Sequence, residues 1–116
     1  MYYNILICML INKKITTDKD GSYIEAIFDS SNILKTIYFP HRNKLFIHFR
    51  RGHTYSYTNV TEEIYDEFEK AESQGTYFSD EIKNNPNYIY AKEFKLTQRE
   101  IDEVDEIIKE WKSSKR

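Results

Sequence analysis

One cysteine, two prolines and three glycines in 116 residues leave the chain short of what small proteins use to staple or punctuate themselves. With Cys8 alone, no internal disulfide can form, so the fold must rest on an apolar core, and a cytoplasmic rather than a secreted protein is expected. No apolar stretch reaches the roughly 20 residues of a membrane-spanning helix, so no membrane partner is expected. The mostly apolar residues 1–11 are followed, not preceded, by Lys13 and Lys14 and lack a small-residue cleavage site, unlike a signal peptide. They read as a buried or edge strand, with Met1 and Met9 both open as the start. Gly21, Gly52 and Gly75 stand apart, which excludes a glycine-rich phosphate loop. His41, His48 and His53 lack zinc-site spacing, and the turn Asp18-Lys-Asp-Gly21 fails as a calcium loop because Thr16 and Ile27 would fall at its end positions. No metal, no cofactor and no catalytic constellation is expected, and the chain does not read as an enzyme.

Acidic residues are missing from one stretch. Between Asp29 and Glu62 there is none, while Lys35, Arg42, Lys44, Arg50 and Arg51 contribute five positive charges. Residues 61–116 instead hold 15 acids against 9 bases, so a net charge of -2 conceals a segregation along the chain. The basic stretch is expected to present one cationic surface, the acids the outward faces of helices. Fifteen Ile, 12 Lys, 10 Tyr and 8 Asn against 3 Ala fit an AT-rich genome, as in a low-GC bacterium or its phage.

Hydrophobic periodicity predicts an α+β domain: a small antiparallel β-meander of about four strands, plus an N-terminal edge strand, packed by two α-helices. The strands are expected over 23–28, 33–39, 45–49 and 54–58. Thr61 is the N-cap of a first helix carrying Ile64, Phe68 and Ala71, stapled by Val60 and Tyr65, with Gly75 as its left-handed terminator. Thr97 and Glu100 form a capping box for a second helix, with Leu96 stapled onto Ile101. Ile101, Val104, Ile108 and Trp111 make one stripe on that helix, which either packs on the domain's own sheet or serves as a partner or self-association surface. Three regions result, all in one globular unit: an N-terminal extension over 1–29, a core over 30–90 and a C-terminal amphipathic helix over 91–116.

The turn between the last two predicted strands decides where Tyr55 and Tyr57 point. A two-residue loop would need Arg51 at positive φ or a glycine in first place, and the sequence suits neither. A three-residue loop Arg50-Arg51-Gly52, closed by a glycine bulge, pairs Phe49 with His53, Ile47 with Tyr55 and Leu45 with Tyr57. The tyrosines then join the core face, and Lys44, Phe46 and His48 line the other, with Arg50 and Arg51 at the hairpin tip.

Several of these residues are similar to those of a known family. Ser30-Ser31-Asn32-Ile33, Tyr38, Leu45-x-Ile47-x-Phe49, Gly52, Tyr55-Ser-Tyr57, Val60, Tyr65, Ala71-x-Ser73-x-Gly75-x-Tyr77-Phe78, Ile82-Lys83 and Tyr88 resemble the KTSC domain. That module occurs at the C-terminus of some lysyl-tRNA synthetases and as a stand-alone bacterial or phage protein. Ile37 stands where the family usually has glycine, and Phe39 where it has aspartate. The resemblance implies a binding module, RNA or nucleic-acid binding being the family's proposed role, and carries no catalytic residues over. Two functions are therefore expected from the residues and the resemblance together. In the first, Lys44, Arg50 and Arg51 meet phosphates while Phe46 or His48 stacks on bases. If about five cations meet five phosphates of a single strand, the log-log salt slope is about -3.5. In the second, a phage- or mobile-element-encoded chain contacts a host or phage protein through its acidic helices or through Ile101, Val104, Ile108 and Trp111.

Overall fold

The computed structural model describes residues 10–114. Of the strand expected over 1–11, only Leu10 and Ile11 fall among them; Cys8 lies outside. Six strands follow one another as an antiparallel meander in the order β1-β2-β3-β4-β5-β6. They are β1 (Leu10–Asp18), β2 (Gly21–Phe28), β3 (Ile33–Phe39), β4 (Lys44–Phe49), β5 (Thr54–Thr58) and β6 (Ile89–Lys92). The helices are α1 (Glu62–Lys70), α2 (Gln74–Tyr77), which runs into a π-helical turn (Phe78–Ile82), and α3 (Gln98–Ser114). The α+β meander read from the sequence is therefore present, with β1 described from Leu10 and β6 added beyond β5.

The β4–β5 register is the predicted one: Leu45 opposes Tyr57 and Ile47 opposes Tyr55. The Phe49 N–H donates to His53 O at 2.8 Å, and Gly52 sits at φ +99°. Period-2 alternation then sends Leu45, Ile47, Tyr57, Tyr38 and Phe28 to one face. There they form a core with Val60, Tyr65 and Phe68 from the α1 region and Phe78 and Ile82 from the π-helical turn. Tyr38 and Tyr65 stack with ring centroids 4.4 Å apart, and the Tyr38 hydroxyl donates to Val60 O at 2.6 Å. Burial, together with Glu62 and Asp66, pushes that hydroxyl up to about 12, so it remains a donor across the physiological range. On the opposite face, Ile27 and Leu34 are covered by Leu96 and by Ile101, Val104 and Ile108 of α3.

Both helix starts follow the predicted capping. Thr61 Oγ1 accepts from Ile64 N at 3.3 Å. At α3 the Thr97 N–H donates to Glu100 Oε1 at 2.9 Å and Glu100 N donates back to Thr97 Oγ1 at 3.2 Å. These bonds from Thr97 hold the Glu100 carboxyl below the usual range. The end of α1 differs from expectation. The helix stops at Lys70, its C-cap Ala71 is extended, and Gly75 lies within α2 rather than acting as a left-handed terminator. The carbonyls that a glycine cap would have satisfied are served instead by a buried side chain. Gln74 Nε2 donates to Phe68 O and Glu69 O at 3.3 Å and to Ala71 O at 3.0 Å.

Gln74→Ala therefore strands up to two carbonyls, Glu69 O and Ala71 O, where water has little access, while Phe68 O keeps the Ala71 N–H at 3.3 Å. It is expected to lower the unfolding free energy by about 1–3 kcal/mol, measured by urea denaturation. Gln98→Ala, at an exposed position on α3, should change it by less than about 0.5 kcal/mol.

Candidate functional site

The expected cationic surface is not formed, because the second face of the sheet is covered and β4 is long. Lys44 and Arg50 lie at opposite ends of that strand, separated by roughly 20 Å at about 3.3 Å per residue. Lys44 and Arg42 gather at one end, where the Lys44 ammonium lies 5.2 Å from the Phe46 ring centroid and the Arg42 guanidinium 5.7 Å from that of Phe39. Phe46 is half-buried and meets Phe39 edge-on at 5.7 Å. Lys35 is paired with Glu25 at 3.5 Å.

His48 does not line an open face. It is 2% exposed, its Nδ1 lies 2.8 Å from Thr54 Oγ1, and the Phe94 ring lies 5.8 Å away. Burial, reinforced by Lys35, brings its pKa down to about 4, so the imidazole is neutral and enclosed, unable to stack on a base. Ile101, Val104 and Ile108 are likewise spent on the protein's own sheet, because a helical stripe of that spacing buries best against Ile27 and Leu34. That burial commits these three to the chain's own core. Trp111, the fourth residue of the stripe, is half-buried.

Arg50 and Arg51 instead reach a cleft of about 700 Å³ at the other end of β4. Five aromatic rings (Phe49, Tyr55, Tyr57, Phe78 and Tyr90) line it in mutual tilted and edge-on contacts of 5.4–5.9 Å. Tyr57 and Phe78 are buried at its base, Tyr55 is half-buried, and Tyr90 on β6 is 59% exposed. Arg50, Arg51, His53 and Lys83 add basic groups, and Ser31, Asn32, Ser79 and Asn84 add neutral polar ones. None of the lining residues is an aspartate or glutamate.

Arg50 is held in place: its Nε donates to Ser30 O at 2.8 Å and its Nη1 to Asp105 of α3 at 2.9 Å. Among the described residues no carboxylate pairs with Arg51, His53 or Lys83. Burial, with Tyr90 and Tyr55 nearby, raises the Tyr57 hydroxyl to about 12, which makes it a hydrogen-bond donor and not a base. The arrangement suits holding an anionic ligand with flat rings. It supplies no paired carboxylates for acid-base work.

Residues 29–88, just over half of the chain, match the KTSC domain family. The chain belongs to the KTSC family. Among solved structures, a KTSC domain protein from Yersinia pestis is 32% identical, with a TM-score of 0.57; the match covers 62% of this chain and 99% of that one. No curated protein matches significantly. Eight residues that carry the KTSC resemblance line the cleft: Ser31, Asn32, Phe49, Tyr55, Tyr57, Gly75, Phe78 and Lys83. Lys83, Tyr90 and Asn84 escape charge and periodicity arguments, because each sits alone in an acidic or mixed stretch of sequence. The resemblance motif was the signal for Lys83. No helix among the described residues is long and apolar enough to cross a membrane, and no group of three His, Cys, Asp or Glu side chains there is placed to hold a metal.

The neutral, enclosed His48 has a measurable consequence. In the unfolded chain it titrates near its ordinary value of 6.5, whereas the folded chain refuses the proton until about pH 4. The unfolded state therefore binds more protons in that window, and this contribution to stability is full above pH 6.5 and lost as pH falls towards 4. In denaturation at pH 7 and 4.5, His48→Asn should show a drop in unfolding free energy smaller than the wild type's by on the order of 2 kcal/mol.

Proposed function

We propose that the protein is a non-enzymatic binding module that takes a segment of single-stranded nucleic acid, RNA in the first instance, into the cleft beside Arg51. The observation that carries this reading is the cleft's composition. It gathers five aromatic rings, two arginines and a lysine without one carboxylate, in a chain with 19 acidic and 17 basic residues. Exposed Tyr90 and half-buried Tyr55 offer ring faces to bases, while Arg51, Lys83 and the anchored Arg50 face phosphates. A cleft of about 700 Å³ is the size of a small-ligand site and suits about one or two nucleotides of a splayed strand. A double helix is far too wide for it. The phosphate contact thus moves from a broad sheet face to the hairpin tip, and Lys44, Phe46 and His48 leave the binding set.

The other reading, contact with a host or phage protein, draws support from outward carboxylates such as Glu63, Asp66, Glu67, Asp102, Glu103 and Glu106 on α1 and α3, all exposed. Its support is electrostatic, since Ile101, Val104 and Ile108 of the α3 stripe are buried in the chain's own core.

Fluorescence anisotropy with a labelled oligouridylate tests the first reading. With about three cations meeting phosphates, the log-log salt slope should be about -2, a loss of roughly 15-fold between 50 and 200 mM salt. The double variant Arg51→Ala/Lys83→Ala should weaken binding and flatten the slope to about -0.7, and Tyr55→Ala should cost about 1–3 kcal/mol. Lys44→Ala should bind as the wild type does. Absence of binding at 50 mM salt overturns the proposal.

A further inference from the structure

Tyr38, Tyr57 and Tyr65 are the buried tyrosines among the described residues. A buried tyrosine hydroxyl ordinarily finds a partner, and two of these do: Tyr38 donates to Val60 O at 2.6 Å and Tyr65 to Glu69 Oε2 at 2.7 Å. Tyr57 is the exception. It is 3% exposed, yet its hydroxyl bonds to no atom of the described residues. Nor is that oxygen sealed off, since the enclosed polar atoms left without a partner there are Thr36 Oγ1, His48 Nε2 and Gln74 Oε1. An oxygen neither bonded nor sealed reaches solvent, and the space that Tyr57 borders is the cleft. Its surroundings there are rings, with Phe78 edge-on at 5.4 Å and Tyr90 tilted at 5.9 Å. The cleft thus has at its base a donor for which the chain supplies no acceptor.

We infer that Tyr57 is a specificity-determining residue whose hydroxyl donates to a carbonyl oxygen on the edge of a nucleobase, so that the cleft selects bases carrying such a carbonyl, uracil among them. This rests on the proposed nucleic-acid reading of the cleft. A phosphate suits this place poorly, because a charged oxygen would give up its hydration among uncharged rings, whereas Arg51 and Lys83 offer it a counter-charge. A carbonyl is neutral and sheds water more easily, and the bond it forms gains strength away from bulk water. A ring of the same shape without an acceptor would displace the water that serves the hydroxyl and leave the donor bare. Discrimination therefore comes from the stranded donor as much as from the bond gained.

The test compares Tyr57→Phe with the wild type for two probes. One is an oligouridylate; the other is an oligomer of the same length in which difluorobenzene, a ring of uracil's shape with almost no acceptor strength, replaces each base. Thermal unfolding of both proteins is measured alongside. The expected result is a Tm equal to or above that of the wild type, a loss of about tenfold in affinity for the oligouridylate, and a loss of less than about twofold for the difluorobenzene strand. Equal affinity of variant and wild type for the oligouridylate overturns the assignment of Tyr57 while leaving the cleft reading intact. An equal loss on both strands also overturns it, because the hydroxyl would then act otherwise than through the base edge. A lowered Tm overturns it as well, since the hydroxyl would then serve the fold. If the wild type binds neither strand, the cleft reading fails and the assignment falls with it.

Discussion

The left-handed backbone at Gly52 is the constraint on which the rest of the molecule turns. It closes the Arg50-Arg51-Gly52 loop with a bond from its own N–H to Phe49 O at 2.8 Å. A slip of one residue in this hairpin would exchange the faces of β5, placing Tyr55 and Tyr57 with His48 and removing two rings from the cleft. The same residue also fixes the C-terminal layer, because Leu96 N donates to Gly52 O at 2.7 Å. A side chain here would be strained by φ and crowded by Leu96 at once. Hairpin register, cleft floor and the approach to α3 thus share one position.

Burial of both faces of the sheet explains where the charges end up. The meander is closed on one side by α1 and the π-helical turn and on the other by α3, so the arginines and lysines of β4 and its loops keep their heads in water at strand ends and loop tips, while Lys35 within β3 pairs with Glu25. The helices that provide the cover carry the acids outward. One acid is the exception. Glu69 is 5% exposed, takes a bond from Tyr65 Oη at 2.7 Å and pairs with Lys13 of β1 at 2.8 Å, tying α1 to the edge strand. Removing either partner would leave a charge or a hydroxyl poorly served, which fixes how α1 sits across the sheet.

What was legible in the sequence was local or periodic. Caps at Thr61 and Thr97 are short-range chemistry, and the β4–β5 register followed from what Arg51 and Gly52 can each tolerate. Alternation along β4 correctly divided Leu45, Ile47 and Phe49 from Phe46 and His48, yet alternation says which face a residue occupies and not whether something covers it. His48 was thus placed on the right side of the sheet and in the wrong environment. The stripe of α3 is the complement of that error, since the helix that could have met a partner is the one that buries His48's face. Strand β6 was missed because its four residues are all exposed and pair only with β5. The cleft itself was illegible, since its walls come from residues 31–32, 49–57, 75–84 and 90, which only the fold brings together.

Under the nucleic-acid reading, the acidic helices become part of the recognition and not a contradiction of it. A chain with net charge -2 repels a polyanion over most of its surface, so attraction is confined to where the potential changes sign. The cleft between the hairpin tip and α2 is such a place, and Arg50 shows how narrow it is: the guanidinium that lines the cleft already binds Asp105 of α3. A strand extending beyond the cleft along α3 would meet Asp102, Glu103 and Glu106, all exposed. The field therefore limits the footprint to about the length of the cleft and disfavours both duplexes and long tracks of backbone contact. Affinity must then come from stacking on Tyr55 and Tyr90 more than from counterion release.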